Sequence, residues 1–186
     1  MNKTADQKKK LRVKFKHACS ILSSNRKKEA SESSFTFLMV NLPENSRVLS
    51  FASLEDEINI WDINFLLAKQ NRLYLPRVVD QGLQVFQVHE VKDLMQSSYG
   101  ILEPNPECCK HIPFEDIDVI LVPGIAFDKE YHRLGRGEGL YDQLLSEIKK
   151  IHPSVFIWGI GYEEQFSSIT IPTEVHDQGV DQLFLF

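Results

Sequence analysis

Cysteine is scarce in this chain. Three are present in 186 residues: Cys108 and Cys109 adjacent, and Cys19 far away. No C-x-x-C pair occurs, which excludes a zinc ribbon and a thioredoxin-like motif and leaves free thiols as the expectation. No window holds the unbroken apolar run of roughly 18 residues that a membrane helix requires. The first residues are polar and lysine-rich with no apolar h-region, so a secretory signal is not indicated and the cytoplasm is the expected compartment. Internal repeats and low-complexity tracts are absent as well. Hydrophobic residues make up 42% of the chain and charged residues 25%, which fits one globular domain spanning 1–186.

Charge is present but uneven. Residues 1–30 carry ten Lys/Arg against Asp6 and Glu29, a balance of +8 on a chain whose net charge is −5. A basic start on an acidic body suits an anionic ligand near the N-terminus, or simply a solvated helix face. It is weak support for nucleic acid, because Phe15 is its one aromatic and no nucleic-acid module is recognisable. Leu11, Phe15, Ala18 and Leu22 make a helical stripe over 8–23. A second helix is predicted over 29–41 with Phe35, Leu38 and Met39 inward, broken at Leu42-Pro43. Glu55-Asp56-Glu57 is predicted to open a third helix, burying Ile58, Trp61, Phe65 and Leu66. Residues 140–150 are the last predicted helix, with Leu140, Leu144, Leu145 and Ile148 on one side.

Strands are predicted at 47–52, 73–76 (stopped by Pro76), 83–88, 117–122, 156–161 and 183–186. The continuous apolar run Ile117-Asp118-Val119-Ile120-Leu121-Val122 suits a strand covered on both faces. Strands alternating with helices imply α/β architecture: a three-layer, largely parallel sheet with helices on both faces. In such sheets the site lies in loops at the carboxyl ends of strands.

One segment carries chemistry. Between a strong strand and a strong helix stand Arg133-Leu134-Gly135-Arg136-Gly137-Glu138-Gly139-Leu140-Tyr141-Asp142. Three glycines at alternate positions permit φ > 0 and close approach to the backbone. Successive N–H groups there can cradle an anion, helped by the helix N-terminus that follows. Arg133 and Arg136 add forked donors suited to phosphate. Asp142, just inside the helix, is placed to hold a magnesium ion bridging phosphate oxygens. This is not a Walker loop, since no G-K-[ST] follows, and the spacing is wrong for G-x-G-x-x-G.

Val122-Pro123-Gly124-x-Ala126-Phe127-Asp128 followed by Arg133-Leu134-Gly135-x-Gly137-x-Gly139-x-Tyr141-Asp142 resembles the signature of the 5-formyltetrahydrofolate cyclo-ligase family. Three weaker elements agree in order: Lys8-x-x-Leu11-Arg12, Gly100-Ile101-Leu102-Glu103-Pro104, and Pro172-x-Glu174-x-His176-Asp177 with Asp181. The likeness covers almost the whole chain. It departs from the family pattern at Tyr131 (usually glycine), Leu140 (usually the first of two tyrosines) and Gln143 (often arginine). Glu138 puts a carboxylate inside the phosphate loop.

The resemblance implies a Rossmann-like, NagB/RpiA/CoA-transferase-like sheet. It also implies ATP- and Mg2+-dependent closure of 5-formyltetrahydrofolate to 5,10-methenyltetrahydrofolate, with ADP and phosphate released. By that likeness Lys8, Lys9, Lys10, Leu11 and Arg12 bind ATP from the first helix. Arg133, Leu134, Gly135, Arg136, Gly137, Glu138, Gly139, Leu140 and Tyr141 bind it from the loop. Arg133, Arg136 and Asp142 are the implied catalytic residues, and Asp142 and Asp177 the implied magnesium ligands. Ala52, Glu57, Arg136, Gly137, Gly139 and Leu140 are the implied folate contacts. The implied partners are 5-formyltetrahydrofolate, with or without a polyglutamate tail, and ATP, bound by a monomer with no nucleic acid or membrane. Two other functions fit the same residues. One is a non-catalytic folate-binding module, motivated by Leu140 and Glu138. The other is a sugar-phosphate enzyme on a similar sheet.

Overall fold

The structure, a computed structural model, describes residues 3–80, 82–97 and 100–186. Two long helices come first, α1 (Lys3–Ser20) and α2 (Ser24–Asn41). Ser23 separates them by capping α2, its Oγ accepting the Arg26 N–H at 3.1 Å. Leu42 is extended and ends α2, as expected of a residue before proline. Then follow β1 (Val48–Leu49), α3 (Trp61–Lys69), β2 (Leu73–Val79), β3 (Gly82–Val88), β4 (Leu94–Gln96), β5 (Leu102–Pro104), β6 (Lys110–His111) and β7 (Val119–Pro123). The remainder holds β8 (Ala126–Asp128), β9 (Arg133–Leu134), α4 (Leu140–Ile151), β10 (Phe156–Gly161), β11 (Phe166–Ser167) and β12 (Gln182–Leu185).

Seven strands form one sheet in the order β12-β10-β7-β1-β2-β3-β6. The pairs from β12 across to β2 are parallel, while β2–β3 and β3–β6 are antiparallel. The period-2 alternation of the strands sorts their side chains between two cores. Val48, Leu73, Leu75, Val119, Leu121 and Ile160 face one side, against Leu38 of α2 and Ile63 and Leu67 of α3. Leu49, Tyr74, Ile120, Val122 and Ile157 face the other, against Leu144, Leu145 and Ile148 of α4. The expected three layers, with helices on both faces, are therefore present. A smaller sheet, β11-β8-β9, lies beyond the end of β7.

Several expectations need correction. Glu55-Asp56-Glu57 forms a turn, and α3 begins only at Trp61. Its inward face is Ile63, Asn64, Leu67 and Ala68, whereas Phe65 is exposed. Asn64 explains the shift: its Nδ2 donates to the Phe51 carbonyl at 2.9 Å and its Oδ1 accepts from Ser50 Oγ at 2.6 Å. Those bonds tie α3 to the chain leaving β1 and fix the helix face. Met39 is exposed while Ser34 is buried in α2. Strand β2 runs through Pro76 to Val79, because β1 pairs only with Leu73 and Tyr74 and leaves that edge of β2 free at Pro76. Among the described residues no helix is long and apolar enough to cross a membrane.

Candidate active site

The chain steps outward from β1 to β2 on one side and returns to β7 on the other. The crevice at such a switch point opens beyond the carboxyl ends of both strands. A cleft of about 530 Å³ lies there, lined by Phe51, Ala52, Leu54 and Glu57 after β1 and by Pro123, Gly124 and Ile125 after β7. Its other walls come from α1, the glycine loop, β2, β5 and the segment near residue 176.

The small sheet aims the loop. The buried Asp128 carboxylate accepts N–H groups of Glu130 (2.9 Å), His132 (3.0 Å) and Ile171 (2.7 Å), and its Oδ2 lies 3.0 Å from His132 Nδ1. Burial alone would push this carboxyl up, but the Ile171 and His132 bonds outweigh it and hold it below the usual range. The resulting tight turn puts Tyr131 at φ 64, in the region that favours glycine. That is a physical reason for the glycine expected there in the family pattern. The turn delivers Arg133 to the cleft floor with its side chain only 3% exposed.

Helix α1 supplies the opposite wall. Leu11 and Phe15 pack on Ile125, Ala126, Leu134 and Ile171. This turns Lys8 and Arg12, four residues apart, toward the loop. Arg12 Nε donates to the Gly135 carbonyl at 2.8 Å. Lys8 Nζ, buried, meets Asp177 at 2.5 Å and Glu174 at 3.2 Å. Lys9 and Lys10 are exposed and do not line the cleft, and Leu11 is core. The helical period explains why five consecutive residues cannot all reach one ligand.

Gly137 (φ 114) and Gly139 (φ 72) bend the loop through conformations that other residues adopt at a cost. Gly139 is also the N-cap of α4 and brings no side chain, so the first amides of α4 face the cleft undonated to any cap. Asp142, in the first turn of α4, accepts Arg133 Nη2 at 2.7 Å and the Gln178 N–H at 3.1 Å. Arg133 also lies over the Tyr141 ring, 5.6 Å from its centroid, and its Nε is buried without a partner. Arg136 reaches across to Glu57 (2.9 Å) and Asp56 (2.5 Å). Burial pushes the Glu57 carboxyl above its ordinary range, against the pull of Arg136 and the Leu54 N–H.

The two expected magnesium ligands both line the cleft, but each is held by a cation: Asp142 by Arg133 and Asp177 by Lys8. Among the described residues, Glu174, His176 and Asp177 bring ligand atoms within 4.8 Å of one another. Asp142 stands outside that group. Four Lys/Arg side chains line the cleft against six Asp/Glu, an acid excess suited to a nucleotide carrying a divalent cation. Ala52, Glu57, Leu134, Glu138, Leu140 and Tyr141 all line it as expected. Glu103, expected to be structural or pocket-lining, does line the cleft. Sequence reasoning missed Asp56 and Glu174 as site residues, although Glu174 sits inside a recognised motif.

The sequence matches the 5-formyltetrahydrofolate cyclo-ligase family over residues 4–185. The chain belongs to this family. A Schizosaccharomyces pombe relative, named "Probable 5-formyltetrahydrofolate cyclo-ligase", is 32% identical over 65% of this chain and 64% of its own length. A Mus musculus 5-formyltetrahydrofolate cyclo-ligase is 30% identical over 77% of this chain and 75% of its own. The NMR structure of Aquifex aeolicus 5,10-methenyltetrahydrofolate synthetase superimposes with a TM-score of 0.81 at 32% identity, covering 95% of this chain and 88% of that one. The match to the Schizosaccharomyces pombe relative thus spans just under two thirds of that protein's length.

Proposed function

We propose that this chain is an ATP- and Mg2+-dependent ligase that closes 5-formyltetrahydrofolate to 5,10-methenyltetrahydrofolate and releases ADP and phosphate. The observation that carries this reading is that one cleft is lined by two kinds of residue: Lys8, Arg12, Arg133, Arg136 and the glycine loop on the one hand, and the apolar Phe51, Leu54, Pro76, Val78, Leu83 and Ile101 on the other. A triphosphate suits the first and a reduced pterin the second.

In the proposed reaction the formyl oxygen attacks the γ-phosphorus and the bond to ADP breaks. N10 then attacks the activated formyl carbon, loses its proton, and phosphate departs with the former formyl oxygen. The protein's share is positioning and charge neutralisation. Arg133 and Arg136 are assigned to the transferring phosphoryl group, where their forks match its oxygens. Lys8 and Arg12 approach the remaining phosphates from α1. Gly137, Gly139 and Leu140 let the loop lie close over both ligands, and Ala52 and Glu57 border the folate. Asp142 and Asp177 are the proposed magnesium ligands, with Glu174 and His176 adjacent to Asp177. The acid excess of the cleft and the hard oxygen donors fit such an ion. Bound there, magnesium would supply charge neutralisation on the phosphate oxygens.

The test is formation of methenyltetrahydrofolate, read by its absorbance, from 5-formyltetrahydrofolate, ATP and magnesium, beside a control lacking ATP. ATP-dependent product is expected. Folded protein that binds folate without releasing ADP would replace this reading with the non-catalytic folate module.

A further inference from the structure

Glu57 and Glu103 both line the cleft, and their situations differ. Glu57 is engaged at both oxygens: Oε1 by Arg136 at 2.9 Å and Oε2 by the Leu54 N–H at 3.1 Å. Glu103, on β5, has a side chain only 5% exposed and lines the cleft beside Ile101, Leu102, Val78 and Leu83. Its contacts are long: the Val78 N–H at 3.4 Å and Arg77 Nη1 at 3.8 Å. Arg77 spends its short bond elsewhere, donating to the Pro104 carbonyl at 2.9 Å. That bond already ties β5 to β2, so the tie does not require the Glu103 carboxylate. Burial pushes the Glu103 carboxyl up, only partly countered by Val78 and Arg77. A buried acid with such poor partners is a standing cost to folding, and one facing a cleft is a recognition group in want of donors.

We propose that Glu103 recognises the donor edge of the substrate's pyrimidine ring, accepting from its 2-amino group and adjacent N3–H. This rests on the folate reading and adds a specificity residue to it. The geometry of the ligand points the same way. The formyl group on N5 must face the arginines, and the 2-amino edge lies at the far end of the bicyclic ring. A ring so placed turns its donors away from the arginines, and we assign them to Glu103, which lines the cleft beside the apolar Val78. Two adjacent N–H groups match the two oxygens of one carboxylate.

The test compares binding of 5-formyltetrahydrofolate and of its 2-desamino analogue, by calorimetry, to the intact protein, Glu103→Gln and Glu57→Gln, with ATP affinity and melting temperature measured alongside. Glu103→Gln is expected to weaken folate binding about ten- to a hundredfold, the size of losing one hydrogen bond to a charged group. Its ATP affinity and melting temperature should not fall. Deleting the 2-amino group should cost the intact protein and Glu57→Gln alike, and cost Glu103→Gln little. The inference is overturned if the penalty persists in Glu103→Gln, or if it vanishes in Glu57→Gln, an arm that decides even should Glu103→Gln fail to fold. A Glu103→Gln protein with a lower melting temperature and unchanged folate affinity would make the residue structural instead. Intact protein that binds no folate at all overturns the underlying folate reading and this inference with it.

Discussion

Replacing Arg133 by methionine keeps the apolar stem and deletes the guanidinium. The Arg133 and Asp142 side chains are 3% and 16% exposed and 2.7 Å apart. Solvent screening therefore does not discount the pair much, unlike a surface bridge. Removing one partner of a buried pair costs about 3–5 kcal/mol, because the other charge is left uncompensated. Asp142 keeps the Gln178 N–H at 3.1 Å and borders the cleft, which places the cost at the lower end, about 3 kcal/mol. For a chain of this length that is a fall in melting temperature of roughly 6–12 °C. Two further results follow from the same cause. Asn at 142 in the Arg133→Met background removes the stranded charge and should recover part of the loss. Magnesium alone should raise the melting temperature of Arg133→Met more than that of the intact protein, since Asp142 is released to it. Calorimetry with and without magnesium checks all three. A fall within about 2 °C of zero, or a double variant as unstable as the single, refutes the argument that Arg133 and Asp142 neutralise each other.

Glu138 is exposed in the phosphate loop and lines the cleft, so Glu138→Gln should tighten ATP binding by about two- to fivefold at low salt, with the gain fading near 1 M salt; titration at two ionic strengths reads it. Gly137→Ala forces an L-residue to φ 114 beside Arg12, 3.4 Å from the new Cβ, and should cost about 1–3 kcal/mol in thermal unfolding as well as ATP affinity. The Asp128 carboxyl sits below its ordinary range, so its contribution to stability is present above the unfolded value of roughly 3.9 and lost as pH falls through the folded one. Asp128→Asn should therefore destabilise the protein at pH 7 and flatten the acid limb of its stability profile, which denaturant unfolding across pH 2–7 measures.

The glycine loop was legible because its chemistry is local. Gly135, Gly137 and Gly139 alternate with Arg136 and Glu138 between a buried strand and an amphipathic helix, and all of them line one cleft. The long elements were legible for the same reason, since α4 and β7 each carry a full period of their pattern. What escaped depends on distant partners. The start of α3 is set by Asn64 bonding to Ser50 and Phe51, not by the acidic run at 55–57. The two-residue strands β9 and β11 are too short to show a period, yet with β8 they aim Arg133. Lys9 and Lys10 share a motif with Lys8 but not a helix face. Asp56 enters the site only because Arg136 crosses to it, 80 residues along the chain.

The cleft also has a consistent electrostatic plan. Lys8 holds Asp177 and Glu174, Arg133 holds Asp142, and Arg136 holds Glu57 and Asp56. Three of the four cations proposed for phosphate are thus neutralised by carboxylates, two of which are proposed for metal. Binding of nucleotide alone would take the cations and strand the acids. Binding of metal alone would take the acids and strand the cations. Only the two together would replace both the Arg133–Asp142 and the Lys8–Asp177 pairs at once, with phosphates against the cations and the metal against Asp142 and Asp177. The ion pairs keep the charges from being buried unpaired before ligands arrive, and they hold each side chain near the place its ligand will need it.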